Sequence, residues 1–390
     1  MTDQRIYLDY NATTPVDPRV LAVMLPYFTE VFGNAASNDH EFGLEAKRAV
    51  DKAREQVAGL INASPDEIIF TSGATESDNI ALLGVAEKYV GKGDHIITCV
   101  TEHKAVLDTC KRLEKLGKRV TYLPVDRYGL VDPDAVRRAI TPQTILISIM
   151  AANNEIGTLA PLAEIGAIAR EHGVLFHTDA AQAFGHIPLD VQAMHIDLLS
   201  ISAHKVYGPK GIGALYRRRS NPRVLLEPLF YGGGHEKGIR SGTLNTPGIV
   251  GLGAAAAIAR QEMAAEDVRF RAWTEEMLAR LQAALGDVER NGHPTQRLPH
   301  TLNVYIPGVE SRALLVQLPD VAIATGSACT SASVEPSHVI AALGFGAERA
   351  HSSIRISVGR LCDETEMQEA STRIIRSIDK IEHLNRIVGD

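Results

Sequence analysis

The sequence predicts an α/β protein: a large domain built on a seven-stranded, mainly parallel sheet, with a smaller α/β domain beside it. Three observations carry this expectation. Between residues 60 and 216, short apolar runs alternate with helical stretches, the pattern of successive βα units. Residues 247–286 then form one long Ala/Glu/Arg-rich helical stretch, able to bridge two lobes. Finally, 390 residues exceed one ordinary domain at about 150 residues each.

In chain order, residues 20–29 and 41–60 have helical spacing, and this N-terminal region is expected to pack on the small lobe. Ile68–Phe70, His95–Val100, Val120–Leu123, Thr144–Met150, Val174–His177 and Leu198–Ile201 are apolar runs of strand length. The helices between them are Glu76–Tyr89, Ala105–Leu116, Asp134–Ile140 and Leu162–His172. Ile212–Tyr216 is the seventh strand, entered through the turn-rich segment Tyr207–Gly211. Beyond the bridging helix, His300–Ile306, Ala322–Ala324 and Ser353–Val358 predict strands of the second lobe, and Glu364–Leu384 an amphipathic closing helix. Residues 15–255 are assigned to the large domain, and residues 1–14 with 256–390 to the small one.

Composition narrows the function classes. Lys+Arg 40 against Asp+Glu 47 gives a net charge of −7, which argues against a nucleic-acid coat or a basic membrane-surface protein. No apolar run approaches the roughly 18 residues of a bilayer span, and residues 1–9 hold no apolar signal-peptide core. The four cysteines, Cys99, Cys110, Cys329 and Cys362, form no CxxC pair and no disulfide framework. No Cys or His spacing suits a metal. These features predict a cytoplasmic, reduced enzyme without a bound metal.

Three strand ends carry the chemistry. Lys205, in Ser200–Gly213, follows a strand and precedes a Gly/Pro turn; burial there would lower its pKa and free an amine for Schiff-base chemistry. A surface lysine is the plainer reading. Asp179 ends the strand about 25 residues earlier, where ligands of such sheets gather. It could hold a pyridinium nitrogen, or simply cap a helix for about 1 kcal/mol. Residues 71–76, Thr-Ser-Gly-Ala-Thr-Glu, join the first strand to its helix, and small residues there let amides approach an anion. A capping box would look similar. In combination the three offer a phosphate cradle, a pyridinium partner and an amine.

These residues resemble the fold-type I pyridoxal-phosphate enzymes, and more narrowly the NifS/IscS-type cysteine desulfurases of the class V aminotransferase family. The resemblance runs from residues 7–14 (YLDYNATT) nearly to Leu384, through TSGATESDN (71–79), TEHKAV (101–106), NNEIG (153–157) and DAAQ (179–182). AHKVYGPKGIG (203–213), GGGHEKGIRSGT (232–243), GSACTS (326–331) and AHSSIRISVGR (350–360) complete it. It implies pyridoxal 5'-phosphate held covalently by Lys205, with Asp179 on the ring nitrogen and Gln182 on the phenolic oxygen. It implies His103 stacked on the ring as an acid/base group. Ala74, Thr75, Ser202 and His204 would bind the phosphate, and Thr243 would complete that site in the other subunit of a homodimer. Arg355 would clamp the carboxylate of the substrate, L-cysteine, a job suited to its planar fork, with Asn154 and Asn34 assisting.

Cys329 lies among small residues, a composition that predicts a mobile loop able to visit the cofactor and then turn outward. As a thiolate it would take the substrate's sulfur as a persulfide, leave L-alanine, and pass the sulfur to an acceptor protein; iron–sulfur assembly and tRNA thiolation are candidate destinations. Cys99 and Cys110 read as buried small hydrophobes, and nothing near Cys362 suggests activity. Two departures stand out. Residue 35 is alanine where the family usually has proline, which would loosen the loop carrying Asn34. Only six residues follow Leu384, which weakens the expectation of docking to an iron–sulfur scaffold. A selenocysteine lyase or another β-eliminating enzyme is the alternative activity, and a non-catalytic relative would be expected to lack Lys205, Asp179 or Cys329.

Overall fold

The computed structural model describes residues 5–326 and 336–389. Its strands are β1 (Ile6–Tyr7), β2 (Ile68–Thr71), β3 (His95–Cys99), β4 (Arg119–Leu123), β5 (Thr144–Ser148), β6 (Leu175–Asp179), β7 (Leu198–Ser202), β8 (Gly213–Arg217), β9 (Glu289–Asn291), β10 (Thr301–Tyr305), β11 (Val321–Ala322) and β12 (Ser353–Ser357). A seven-stranded sheet has the order β2-β8-β7-β6-β5-β3-β4. Within it only β8 is reversed, pairing antiparallel with β2 and β7. The other neighbours pair in parallel. All seven predicted strands form. Strands β5, β6 and β7 are buried at every position, which is why their sequences read as unbroken apolar runs rather than alternating ones.

The helices Ala74–Lys88, Lys104–Lys115, Pro133–Ala139 and Leu162–His172 cover the sheet. The stretch 20–29 is two helices, Pro18–Met24 and Pro26–Thr29, because Pro26 has no N–H to give and its ring crowds the preceding turn. The expectation that the N-terminal region packs on the small lobe is corrected. Val20, Met24, Val50, Ala53 and Val57 share one apolar cluster with Ile249, Leu252 and Ala255 of the long helix Thr246–Leu285. Small residues decide this: a Cβ added at Gly253 would fall 2.6 Å from the Cα of Ala53, so the helix Glu41–Leu60 seats backbone-close on the long one. Only Ile6, Leu8 and Tyr10 of this region join the second cluster.

That second cluster is built on the antiparallel sheet β12-β10-β9 and the parallel pair β1–β11. Leu302, Val304, Ile354 and Ile356 face Phe270, Met277 and Leu281 from the far half of the long helix. With 40 residues, that helix is roughly 60 Å long and contributes to both apolar clusters. Beside it Arg360 donates to Glu266 at 2.6 Å and to Asp17 at 2.9 Å, over the ring of Tyr207. Strands β1 and β9 and the helices Ser311–Gln317, His338–Ala342 and Gly346–His351 were not anticipated, being too short to show a period.

The contact at Gly253 is testable. Gly253→Ala gains helix propensity but drives a methyl into the facing backbone, and should lower stability by about 1–3 kcal/mol. A denaturation midpoint equal to or above the parent's would refute this account of the helix pair.

Candidate active site

A cavity of about 510 Å³ opens at the carboxyl ends of the parallel strands. Ser72–Glu76 enter it after β2, His103 after β3, Asn154 after β5 and Asp179 at the end of β6. Gln182, Ser202, His204 and Lys205 follow, and Arg355 reaches in from β12. The structure therefore brings together Ala74, Thr75, His103, Asn154, Asp179, Gln182, Ser202, His204, Lys205 and Arg355. Two predicted residues lie elsewhere. Asn34 is exposed and closes its own turn, accepting from the N–H of Ala36 at 3.0 Å. Thr243, assigned by resemblance to a second subunit's site, is exposed and does not line this chain's cavity. Cys329 lies outside the described residues.

Asp179 is buried, and burial pushes its carboxyl above the usual range, opposed by the nearby His103 and Lys205. Its Oδ1 accepts the N–H of Ala181 at 2.9 Å. Lys205 Nζ donates to the carbonyls of Asn11 at 2.5 Å and Ala12 at 2.8 Å. His103 begins the helix Lys104–Lys115: Nδ1 caps it by accepting from Ala105 at 3.2 Å, while the ring lines the cavity. With Nδ1 accepting, the proton of the neutral ring belongs on Nε2. Arg355 is buried and held by the Asp9 carboxylate at 2.6 Å and the Asn154 carbonyl at 2.9 Å, while its Nε has no partner among the described residues.

The donor set fits pyridoxal phosphate. No side chain caps the helix Ala74–Lys88, whose first-turn amides border the cavity and favour an anion. Gly73 has φ +155°, and a Cβ there would stand 3.9 Å from Ser202 Oγ, filling the cradle. His204, pushed down to about 4 by burial and by Lys205 and Lys210, is a neutral imidazole on that side. Glu76 closes the cradle's outer wall, accepting from Ser72 N at 2.7 Å and Arg240 Nε at 2.8 Å. A buried carboxylate at the end of β6 suits a ring N–H, and Lys205 follows β7, which lies between β6 and β2 in the sheet.

Sequence reasoning missed Asn11, Ala12 and Thr13 as site residues. All three line the cavity, and Asn11 and Ala12 supply carbonyls to Lys205 and Gln182. A backbone carbonyl has no side-chain signature; only the small polar run after β1 hinted at a close approach. Cys99 and Cys110 are buried, and burial pushes both thiols up to about 12; that of Cys362 rises to about 11. None of these three is a thiolate at neutral pH.

Residues 6–369 match the family described as aminotransferase class-V. The chain is similar to the cysteine desulfurase IscS of Anaeromyxobacter dehalogenans (strain 2CP-C), 55% identical over 97% of this chain and 94% of the relative. It is 52% identical to cysteine desulfurase IscS of Rickettsia africae (strain ESF-5), over 97% of this chain and 92% of the relative. Among solved structures it resembles a NifS-like protein with TM-score 0.89 and 37% identity, over 96% and 99% of the two chains. It also resembles SspA in complex with cysteine, with TM-score 0.78 and 40% identity, over 90% and 98%.

Behind the site, His177 is fully buried between Ser148 and Ser200, and burial pushes it down to about 3. Its folded pKa lies below the unfolded value, so its contribution is present above about pH 6.5 and is lost as pH falls toward 3. His177→Gln should therefore flatten the fall of stability across that window. Denaturation midpoints at a series of pH values check this, and an unchanged slope would refute it.

Proposed function

The chain belongs to the class-V aminotransferase family, and from that premise and the cavity's donor set we infer that it is a pyridoxal-phosphate-dependent cysteine desulfurase acting on L-cysteine. The observation that carries the reading is the convergence of Lys205, Asp179 and Arg355 on one cavity, in a chain 55% identical to a cysteine desulfurase. When bound, pyridoxal phosphate supplies the electron sink that makes the substrate's Cα–H acidic.

The protein's own residues do the rest. Lys205 holds the cofactor and moves the proton at Cα. Asp179 keeps the ring nitrogen protonated by presenting a negative charge. Arg355, its planar group already oriented by Asp9 and Asn154, binds the substrate carboxylate. His103, its ring lining the cavity, serves there as the acid/base group. The Cys329 thiolate attacks the substrate sulfur: an S–S bond forms, the Cβ–S bond breaks, and the electron pair returns toward Cβ. Protonation at Cβ yields L-alanine, and the Cys329 persulfide passes its sulfur to an acceptor protein, for iron–sulfur assembly, tRNA thiolation or another transfer. The high pKa values of the three described thiols support Cys329 as the nucleophile by leaving them unreactive.

The working unit in this reading is a cytoplasmic homodimer in which Thr243 reaches the other subunit's phosphate. Exposed Thr243 supports it, as do the exposed rings of Phe28, Phe32 and Phe42 near the N-terminal helices. The three described cysteines, all free thiols, suit a reducing compartment.

Incubated with L-cysteine and a reductant, the protein should release sulfide and alanine in equal amounts, and Cys329→Ala should release neither above background. Survival of both products in the variant would favour a lyase or β-elimination. Thr243→Ala should weaken cofactor binding at least severalfold, and unchanged affinity would remove it from the phosphate site.

A further inference from the structure

The helix Ala74–Lys88 carries Asp78 into the layer beneath the cavity floor, where it is fully buried. Among the described residues neither of its oxygens has a partner at hydrogen-bond distance, and the Ser200 hydroxyl is the one donor that bears on it. Its Oδ1 lies 3.6 Å from His177 Nε2. The two nitrogens of His177 instead meet Ser148 Oγ at 2.8 Å and Ser200 Oγ at 3.0 Å. Held at about 3 by burial, His177 is neutral and offers Asp78 no cation. A fully buried carboxylate with no cation beside it is costly even with the Ser200 hydroxyl near, and burial outweighs that hydroxyl, so such a group takes up a proton instead.

Two further acids face Asp78. Glu102, in the turn after β3, accepts from the N–H of Met150 at 2.8 Å but leaves Oε2 unpartnered, and burial pushes it well up. Asp179 lies two residues beyond His177 on β6. Asp179 raises the cost of ionising both Asp78 and Glu102, beyond what burial already imposes. The environments differ, however. Asp179 alone lines the cavity, accepts the Ala181 N–H and faces His103 and Lys205. Of the three it alone has cationic neighbours to support a charge.

We propose that Asp78 is a positioning residue held as a neutral carboxylic acid, so that the negative charge of this buried group resides on Asp179, the partner of the ring nitrogen. Asp78 acts through Asp179 and touches neither substrate nor cofactor. A second charge at Asp78 would compete for the same proton and loosen the hold of Asp179 on the ring. The proposal rests on the assignment of Asp179 made above. That assignment fails separately, if Asp179→Asn binds the cofactor and titrates like the parent.

The test is made on the holoenzyme. Its infrared spectrum near neutral pH should contain a protonated-carboxyl carbonyl band that shifts when the protein is labelled with carbon-13 aspartate and is lost in Asp78→Asn. A carboxamide copies a neutral acid, so the visible cofactor absorbance of Asp78→Asn should titrate within about half a pH unit of the parent, and cofactor affinity should stay within about threefold. A midpoint displaced by about one unit or more would mean that a charge had been removed, and would overturn the proposal. Absence of an aspartate-derived band would also overturn it. Should Asp78→Asn fail to fold, the labelled parent protein decides the matter alone.

Discussion

A carboxylate placed inside a protein must be answered, and the arrangement of this site follows from how Asp179 is answered. Strand β6 is buried along its length, so its last residue leaves water as soon as the sheet forms. The backbone N–H of Ala181, the neighbouring His103 and Lys205, and a ring N–H when the cofactor is bound are the available compensations. Each must come from a different element. The turn after β3, the turn after β7 and the uncapped helix after β2 therefore have to meet at one edge of the sheet.

Parallel pairing makes that meeting possible. Strands β2 through β7 point the same way across the sheet, so their outgoing turns collect on one side, and the helix that follows β2 presents its amides there. The phosphate cradle after β2 and the ring partner at the end of β6 then border one cavity, with Lys205 following the intervening β7. The second core adds what the sheet cannot. From β12 it sends Arg355, and Asp9 and the Asn154 carbonyl fix the plane of its guanidinium. A charged group so oriented loses little freedom when a carboxylate arrives.

How much of this was legible depended on where the information sat. Lys205, Asp179 and the Thr71–Glu76 turn could be read because each follows an unmistakable apolar run, and the end of a strand fixes where the next side chain goes. Leu162–His172 and Glu41–Leu60 were long enough to show a period, and both helices end where the sequence suggested. Asn34 was placed by motif on a turn whose geometry is local, and its side chain bonds within that turn. The carbonyls of Asn11 and Ala12 were unreadable, since any residue could supply them. Asp78 was hidden by company: on an apolar helix face one aspartate looks like a slip of the period, and only packing shows it lies fully within. The docking of the helix Glu41–Leu60 turned on Gly253 and Ala53, and small residues mark no partner in sequence.

The course of the first residues alters how the chain's beginning should be regarded. Ile6–Tyr7 pairs with β11, Asp9 grips Arg355, and within three residues the backbone is supporting Lys205 and Gln182. Chain ends are commonly treated as expendable handles for purification tags, fusions and trimming. Here residues 6–12 are themselves part of the wall around the reactive amine. A nick or deletion beyond Asp9 is then chemically equivalent to mutating the site itself.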